Sequence, residues 1–151
     1  MGTYCAPMDA LAFTTATDVF EFTAPSTARI LVHELHLCQT TDLGDAAEEV
    51  LRIGLYRGVT AGATGTALTE QPYGDSNDGA ATAAVVANRG TASTGGTLLD
   101  VIGWNIRIPF DRIWTPETRP IIEVSTVGTF KLMTAPADSI TISGALIWEE
   151  H

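Results

Sequence analysis

The 151-residue sequence is poor in charge, and above all in positive charge. Asp, Glu, Lys and Arg make up 17% of it, whereas about 25% is usual for a soluble domain. Eight residues are basic, and the formal net charge is −10. Nucleic acids and anionic membrane surfaces require clustered basic side chains, so we expect neither as a partner. A surface with so little charge indicates contact with other protein, which favours an oligomer.

Cysteines and long apolar runs are also scarce. Cys5 and Cys38 are the only cysteines, and their spacing fits no metal or redox motif. We interpret both as free thiols, with Cys38 buried in a strand and Cys5 near a mobile end. No apolar run approaches the roughly 20 residues of a membrane-spanning helix, and we find no signal peptide. The chain is long enough to form one domain whose core needs neither disulfides nor metal.

The motifs of several enzyme classes are missing. Neither a G-x-S-x-G nucleophile elbow nor a G-x-x-x-x-G-K-[ST] phosphate loop occurs. Glu149 and Glu150 are adjacent, so on a strand they point to opposite faces and cannot form a glycosidase pair by themselves. We therefore predict that the chain is not an enzyme and has no catalytic or cofactor-binding residues.

His33 and His36 are the residues that most invite a metal interpretation. They lie in H-E-L-H, which is not the helical H-E-x-x-H motif. On a regular strand they point to opposite faces, so they cannot share one ion. The stretch D-S-N-D-G at residues 75–79 has the oxygen donors of a calcium loop, but Val86 stands where the EF-hand pattern closes with Glu. We predict no metal site and no metal requirement for folding.

Strand patterns account for most of the remaining sequence. The strongest is A-R-I-L-V-H-E-L-H-L-C-Q at residues 28–39, which is apolar on both alternating faces and is therefore placed centrally in a sheet. Residues 1–9 are interpreted as an N-terminal arm or a lead-in. Further strands are predicted at residues 11–15, 19–23, 51–56, 83–87, 104–110, 121–125, 130–132 and 140–149. Roughly eight to ten strands with this spacing predict an all-β fold, with residues 1–151 forming a single jelly-roll-like β-sandwich domain.

Two rows of apolar residues are predicted to face the core. They are Trp104, Ile106, Ile108 and Phe110 in one strand, and Ile140, Ile142, Leu146 and Trp148 in another. Gly144 interrupts the second row and is interpreted as a bulge. Together with Trp114, the tryptophans offer a sugar-stacking platform if they are exposed, although tryptophan is more often found in cores or interfaces.

Two stretches have no strand pattern. Residues 60–97 are rich in Gly, Ala, Thr and Ser, which predicts long ordered loops with one short strand near residues 83–87. Loops of this length often serve a function or an interface, and flexibility is the alternative. Residues 41–50 fit a short helix with early acids and a surface loop equally well.

Six stretches together set the character of the chain after Pro25. They are A-R-I-L-V-H-E-L-H-L, E-E-V-L-R-I-G-L-Y-R-G-V-T, T-G-T-A-L-T-E-Q-P, W-N-I-R-I-P-F, W-T-P-E-T-R-P and I-T-I-S-G-A-L-I-W-E-E. In their order and composition they resemble the small jelly-roll structural proteins from the virions of tailed bacteriophages. The resemblance implies a non-enzymatic protein of the particle, in the first place a head decoration (cement) protein that stabilises the capsid. It carries over no functional residues.

The resemblance also implies partners and a location. The protein would be made in the host bacterial cytoplasm and would sit on the capsid surface, bound to the major capsid protein. We expect a homo-oligomer, with a trimer favoured, that contacts the shell through residues 1–9 and the loops at residues 60–97. The alternative is a lectin-like carbohydrate-binding module, which requires exposed tryptophans in a groove. A cupin-like enzyme would fit the fold, but the chain lacks the metal ligands.

Overall fold

The computed structural model describes residues 2–41 and 48–151, which form two antiparallel β-sheets packed face to face. Those two ranges contain no helix, and thus none that could cross a membrane. The strands are β1 (Gly2–Phe13), β2 (Asp18–Thr23), β3 (Ile30–Gln39), β4 (Val50–Arg57), β5 (Thr66–Ala67), β6 (Gln71–Pro72), β7 (Ala84–Ala87), β8 (Thr97–Asn105), β9 (Phe110–Ile113), β10 (Ile121–Ile122), β11 (Val127–Leu132) and β12 (Ile140–Glu150).

The chain passes back and forth between the two sheets. The first sheet has the order β10-β3-β12-β1-β6, with β9 also paired with β3. The second has the order β5-β7-β2-β11-β4-β8. When the short β5, β6 and β7 are set aside, this is the double Greek-key order of a jelly roll. The predicted jelly-roll-like β-sandwich is confirmed.

The core lies between the sheets because alternate side chains of each strand point inward. Its largest fully buried side chains are Trp104, Trp148, Phe13, Phe20, Phe22 and Phe130. The rings of Phe22 and Phe130 lie 5.8 Å apart, and those of Trp114 and Phe130 lie 5.9 Å apart. Each fully buried large apolar side chain contributes about 1.5–3 kcal/mol, so this layer dominates the stability of the fold.

The interpretation of residues 1–9 as an arm is wrong, because residues 2–9 belong to β1. This strand pairs with β12 from Gly2 opposite Glu150 to Phe13 opposite Ile140, with a bulge between Met8 and Leu11. The alternating Tyr4, Ala6 and Met8 are buried, which is the physical reason that the segment joins the sheet. Pro7 is exposed beyond the short pairing with β6, where one side of β1 is an edge that tolerates proline.

The two cysteines are free, as predicted, and both are half-buried. Cys5 lies within β1, opposite Ile147, and not near a mobile end. Cys38 is less buried than predicted, and its Sγ lies 3.5 Å from the carbonyl oxygen of Ser143. Burial raises the pKa of the Cys5 thiol, so that little of it is thiolate at neutral pH.

One of the two predicted core rows is confirmed in full. Ile140, Ile142, Leu146 and Trp148 are all buried. In the other row, Trp104 and Ile106 are buried and Phe110 packs partly against the core, but Ile108 is 61% exposed. The alternation fails because β8 ends at Asn105, where a turn closed by the Ile108 N–H on the Asn105 carbonyl (3.0 Å) leads into β9.

The regular alternation expected within β3 also fails, at a bulge. Trp148 lies opposite Val32 and Ile147 lies opposite Glu34, which leaves His33 as an extra residue. Ile30 and Val32 therefore face the core before the bulge, and Leu35 and Leu37 face it afterwards. β3 does lie inside its sheet, between β12 on one side and β9 and β10 on the other.

Residues 42–47, where a helix and a loop were equally expected, lie outside the described residues. Glu48 and Glu49 are not helical, and Val50 begins β4. The short strand expected near residues 83–87 is present as β7, whereas the two-residue strands β5 and β6 were not predicted.

Candidate functional site

The three tryptophans are buried rather than displayed. Trp104, Trp114 and Trp148 are 2%, 7% and 1% exposed. The indole N–H of Trp104 donates to the Ile108 carbonyl at 2.8 Å, and the guanidinium of Arg112 lies 5.6 Å from the ring centroid of Trp114. A sugar-stacking platform needs an open aromatic face. None of the tryptophans provides one.

A groove of about 670 Å³ opens between the sheets where their edges part. Leu55 of β4 and Asp100 of β8 lie on the side of the second sheet, and β9 with the chain that follows it forms the side of the first sheet. Its full lining is Leu55, Arg57, Leu99, Asp100, Arg112, Ile113, Trp114, Thr115, Thr118, Arg119, Pro120 and Ile121. This set includes three arginines and a single acid, which makes the groove locally positive on a chain of net charge −10.

The arginines of the groove are held by few contacts. Arg112 Nη2 lies 3.1 Å from Asp100 Oδ2, an ion pair that spans the two sheets. Arg57 Nη1 donates to the Ile121 carbonyl at 3.4 Å, and Arg119 Nη1 lies 3.6 Å from Glu149 Oε2. The Arg119 Nε is buried and has no hydrogen-bond partner among the described residues. That atom is too buried to reach a ligand, but a guanidinium carries five N–H donors, so Arg57 and Arg112 retain capacity for an anion.

A cluster of charged side chains surrounds Glu149 on the outer face of the first sheet. Its carboxylate lies 3.0 Å from His33 Nε2 and 2.6 Å from His151 Nε2. Burial raises the pKa of Glu149, but the hydrogen bonds and charges of His151 and His33 outweigh burial and hold the pKa below its ordinary value. The cluster stabilises the carboxylate form of Glu149.

His36 forms a second cluster on the same face. Its Nε2 lies 3.1 Å from Glu34 Oε1, and its Nδ1 lies 3.0 Å from Asp111 Oδ1. The prediction that His33 and His36 occupy opposite faces is wrong, since the bulge at His33 brings both to the outer face. They still contact different carboxylates.

The Glu34, His36 and Asp111 cluster is the one group of potential metal ligands found among residues 2–41 and 48–151. Its ligand atoms lie within 4.8 Å of one another. Both ring nitrogens of His36 already face a carboxylate, so an ion would have to displace one of these contacts. Two of the three side chains, those of His36 and Asp111, are 39% and 53% exposed, and exposed groups of this kind are common without a metal.

Two buried carboxylates fasten the Gly/Ala/Thr-rich chain to the second sheet. We call residues 60–96 the covering segment. Glu21 is 1% exposed and accepts hydrogen bonds from the Gly62 N–H at 2.7 Å and from the Arg89 guanidinium. Asp18 is fully buried and accepts from the Ser93 N–H at 2.6 Å and from the Thr129 hydroxyl at 2.6 Å. The segment is thus held as an ordered layer over β2.

Two more acids continue this pattern. Glu150, which is 7% exposed, accepts from the Thr82 N–H at 3.0 Å and from the Ala83 N–H at 2.9 Å. Glu70, within the covering segment, accepts from the Val85 N–H at 2.7 Å. Since loops with small side chains offer mainly backbone N–H groups, carboxylates are the natural partners for them.

Sequence reasoning did not find these anchoring residues. A signal was present, because Asp18 and Glu21 flank and interrupt an otherwise apolar strand, and charged side chains are rarely buried without a partner. The distance in sequence from Glu21 to Gly62 and Arg89 hides the pairing. The groove was also missed, since its arginines come from three separate stretches of the chain.

Within residues 2–41 and 48–151, the histidine side chains contact carboxylates, and none is hydrogen-bonded to a serine, threonine or cysteine. A nucleophile activated by histidine is therefore not assembled in this part of the chain. That the chain is not an enzyme stays a prediction.

Comparisons with protein-family models, with curated proteins and with solved structures find no match to this chain. The class that the geometry defines is a class of fold, the jelly-roll β-sandwich. Because such folds host many unrelated functions, function has to be argued from the surfaces just described.

Proposed function

We propose that the chain is a non-enzymatic structural protein of a tailed-bacteriophage virion. In this proposal it is a head decoration (cement) protein that stabilises the capsid, is made in the host bacterial cytoplasm and binds the major capsid protein as a homo-oligomer, with a trimer as the favoured form. The jelly-roll topology is consistent with the resemblance on which the proposal rests. The observation that carries it is an apolar surface beside an unpaired strand edge.

This apolar surface lies on the outer face of the second sheet. Val50 of β4 is 64% exposed, and Leu98 and Val101 of β8 are 43% and 44% exposed. Among residues 2–41 and 48–151, β8 is the end strand of its sheet and pairs with β4 only. Exposed apolar side chains beside a free edge are typical of a protein-protein contact. The buried tryptophans weigh against the alternative, a lectin-like module.

In this proposal the contact with neighbours does not use residues 1–9 as an arm, but it can still use the covering segment. Residues 2–9 are paired in β1, so they are not free to reach the shell as an arm. The covering segment is already bonded to the sheets through Glu21, Asp18 and Glu150. A neighbour that docks on this segment would order few additional residues, which lowers the entropy cost of assembly.

Mass spectrometry of purified virions first shows whether the particle contains the protein. The test is then whether the purified chain binds capsids of the same virus from which the protein is absent. We expect the purified chain to form a homo-oligomer by light scattering and to sediment with these capsids. Leu98→Asp and Val101→Asp should abolish oligomer formation or capsid binding. Val124→Asp, a matched control at a site that is 47% exposed outside β4 and β8, should leave both unchanged. A monomer at high concentration that does not bind capsids would contradict the proposal.

A further inference from the structure

The edge of β8 is open to a further strand. Its nine residues, T-L-L-D-V-I-G-W-N, pair on one side with β4, and in the part of the chain that the structure describes no strand pairs with the other side. Proteins commonly protect such edges with lysine or proline, and β8 contains neither. One bulge, between the partners of Leu55 and Tyr56, interrupts the pairing near Leu99. The backbone N–H and C=O groups on the outer side of β8 are therefore a template for β-strand addition.

The groove runs along the same edge and supplies positive charge. Arg57, Arg112 and Arg119 line it together with Asp100. They are three of the eight basic residues of the chain. Arg112 is 46% exposed, and the bond from Arg57 to the Ile121 carbonyl is long at 3.4 Å, so both guanidinium groups keep N–H donors that a ligand can reach. A carboxylate is the group that best satisfies guanidinium donors of this kind.

The two faces of β8 differ in polarity, and this difference determines which side chains suit each face of an added strand. Asp100 points into the groove, where it meets Arg112, while Leu98 and Val101 contribute to the apolar outer face. Side chains of an added strand alternate in the same way. We propose that the edge of β8 and the arginine groove bind an extended acidic segment of a partner protein, in which carboxylates that face the groove alternate with apolar residues that face Leu98 and Val101.

A second copy of the chain does not fit this site through its own β8. Two-fold pairing of β8 with β8 would be isologous and would bring the arginine grooves of both copies to one continuous face. The net charge of −10 does not exclude an acidic ligand. At physiological ionic strength charges are screened beyond about 8 Å, so the arginines in contact with the ligand dominate over acids elsewhere.

The test uses the purified chain and a fluorescein-labelled peptide in which glutamate alternates with valine. We expect saturable binding by fluorescence anisotropy that weakens as salt is added. A peptide with glutamine in place of glutamate should bind at least about tenfold more weakly. The glutamate peptide should likewise bind the variants Arg57→Gln and Arg112→Gln at least about tenfold more weakly than the unchanged protein. Arg52→Gln, an exposed arginine on the other face of β4, is the matched control and should bind normally.

Hydrogen exchange distinguishes strand addition from adventitious charge pairing. The bound peptide should slow exchange of amides in β8 and leave those of β12, in the interior of the other sheet, unchanged. Thermal melting of each variant verifies that it is folded. If Arg112→Gln does not fold, the test relies on Arg57→Gln. The inference is overturned by absence of binding, by equal binding of the glutamine peptide, by an equal loss in Arg52→Gln, or by binding without protection of β8. The inference shares Leu98 and Val101 with the proposed virion contact, but its test measures the arginines and the β8 edge with a peptide, so its failure would leave the capsid test standing.

Discussion

Replacing Glu21 by Gln should destabilise the protein by about 3 kcal/mol. The change keeps the size of the side chain but removes a charge that is 1% exposed and paired with Arg89. Removal of one partner from a buried ion pair typically costs about 3–5 kcal/mol. We expect the lower end, because Arg89 is 16% exposed and keeps a second hydrogen bond, to the Thr64 carbonyl at 2.6 Å.

Urea unfolding at neutral pH measures this loss, and hydrogen exchange of the Gly62 amide shows whether it is local to the covering segment. The matched control is Glu123→Gln, the same chemical change at an exposed site, which should stay within about 0.5 kcal/mol. In the double variant with Arg89→Gln, the total loss should be smaller than the sum of the single losses. A cost below about 1 kcal/mol for Glu21→Gln, or unchanged protection of the Gly62 amide, would refute the reasoning that this carboxylate anchors the segment.

Four further outcomes are expected. Ile142→Ala, at a fully buried site, should lower the free energy of unfolding in urea by about 2–5 kcal/mol. Ile108→Ala, at a site that is 61% exposed, should lower it by less than about 0.5 kcal/mol, and similar losses in the two variants would contradict the assigned core. Gly144→Ala should cost about 1–3 kcal/mol by the same assay, because a methyl group there would overlap the His36 carbonyl oxygen, and a neutral result would mean that the strands separate easily. A chelator should leave the melting temperature unchanged, and a fall of more than about 5 °C would indicate a structural metal. The pKa of Glu149 is lower in the folded protein than its ordinary value of 4.5, so the carboxylate should stabilise the fold above that pH and should lose this effect as the pH falls through the lowered value. In urea unfolding, the stability of Glu149→Gln should therefore approach that of the wild type in acid. A difference that stays constant with pH would show that the carboxylate does not contribute in this way.

The strands and most of the core could be predicted because alternation depends only on neighbouring residues. The row Ile140, Ile142, Leu146 and Trp148 is an example, in which the alternation holds across Gly144. In β3 the same rule predicts a strand that is apolar on both faces. The cause is the bulge at His33, which moves the inward positions by one residue, so that Val32 and Leu35 face the same core. A bulge is set by the partner strand, and the sequence of β3 alone does not reveal it.

The covering segment and the groove depend on contacts between distant parts of the chain. Few side chains in residues 60–96 can enter a core, and this suggested long loops that are either ordered or flexible. Their order comes from backbone N–H groups that donate to Asp18, Glu21 and Glu150, all far away in sequence. Residue types alone cannot show such pairings. Although the chain has few charged residues, several of its acids are buried and hold the covering segment against the sheets.

The position of β12 between β1 and β3 has a consequence for the order of folding. β1 comes first in the chain and β12 last, yet they pair along nearly their whole length. During synthesis, β1 and β3 therefore have to wait for β12 before either gains this central neighbour. Pairing between such distant strands is slow, so we expect refolding on the millisecond-to-second scale typical of all-β domains. Until then the facing edges of β1 and β3 are exposed, which makes the nascent chain most prone to aggregation just before β12 is complete.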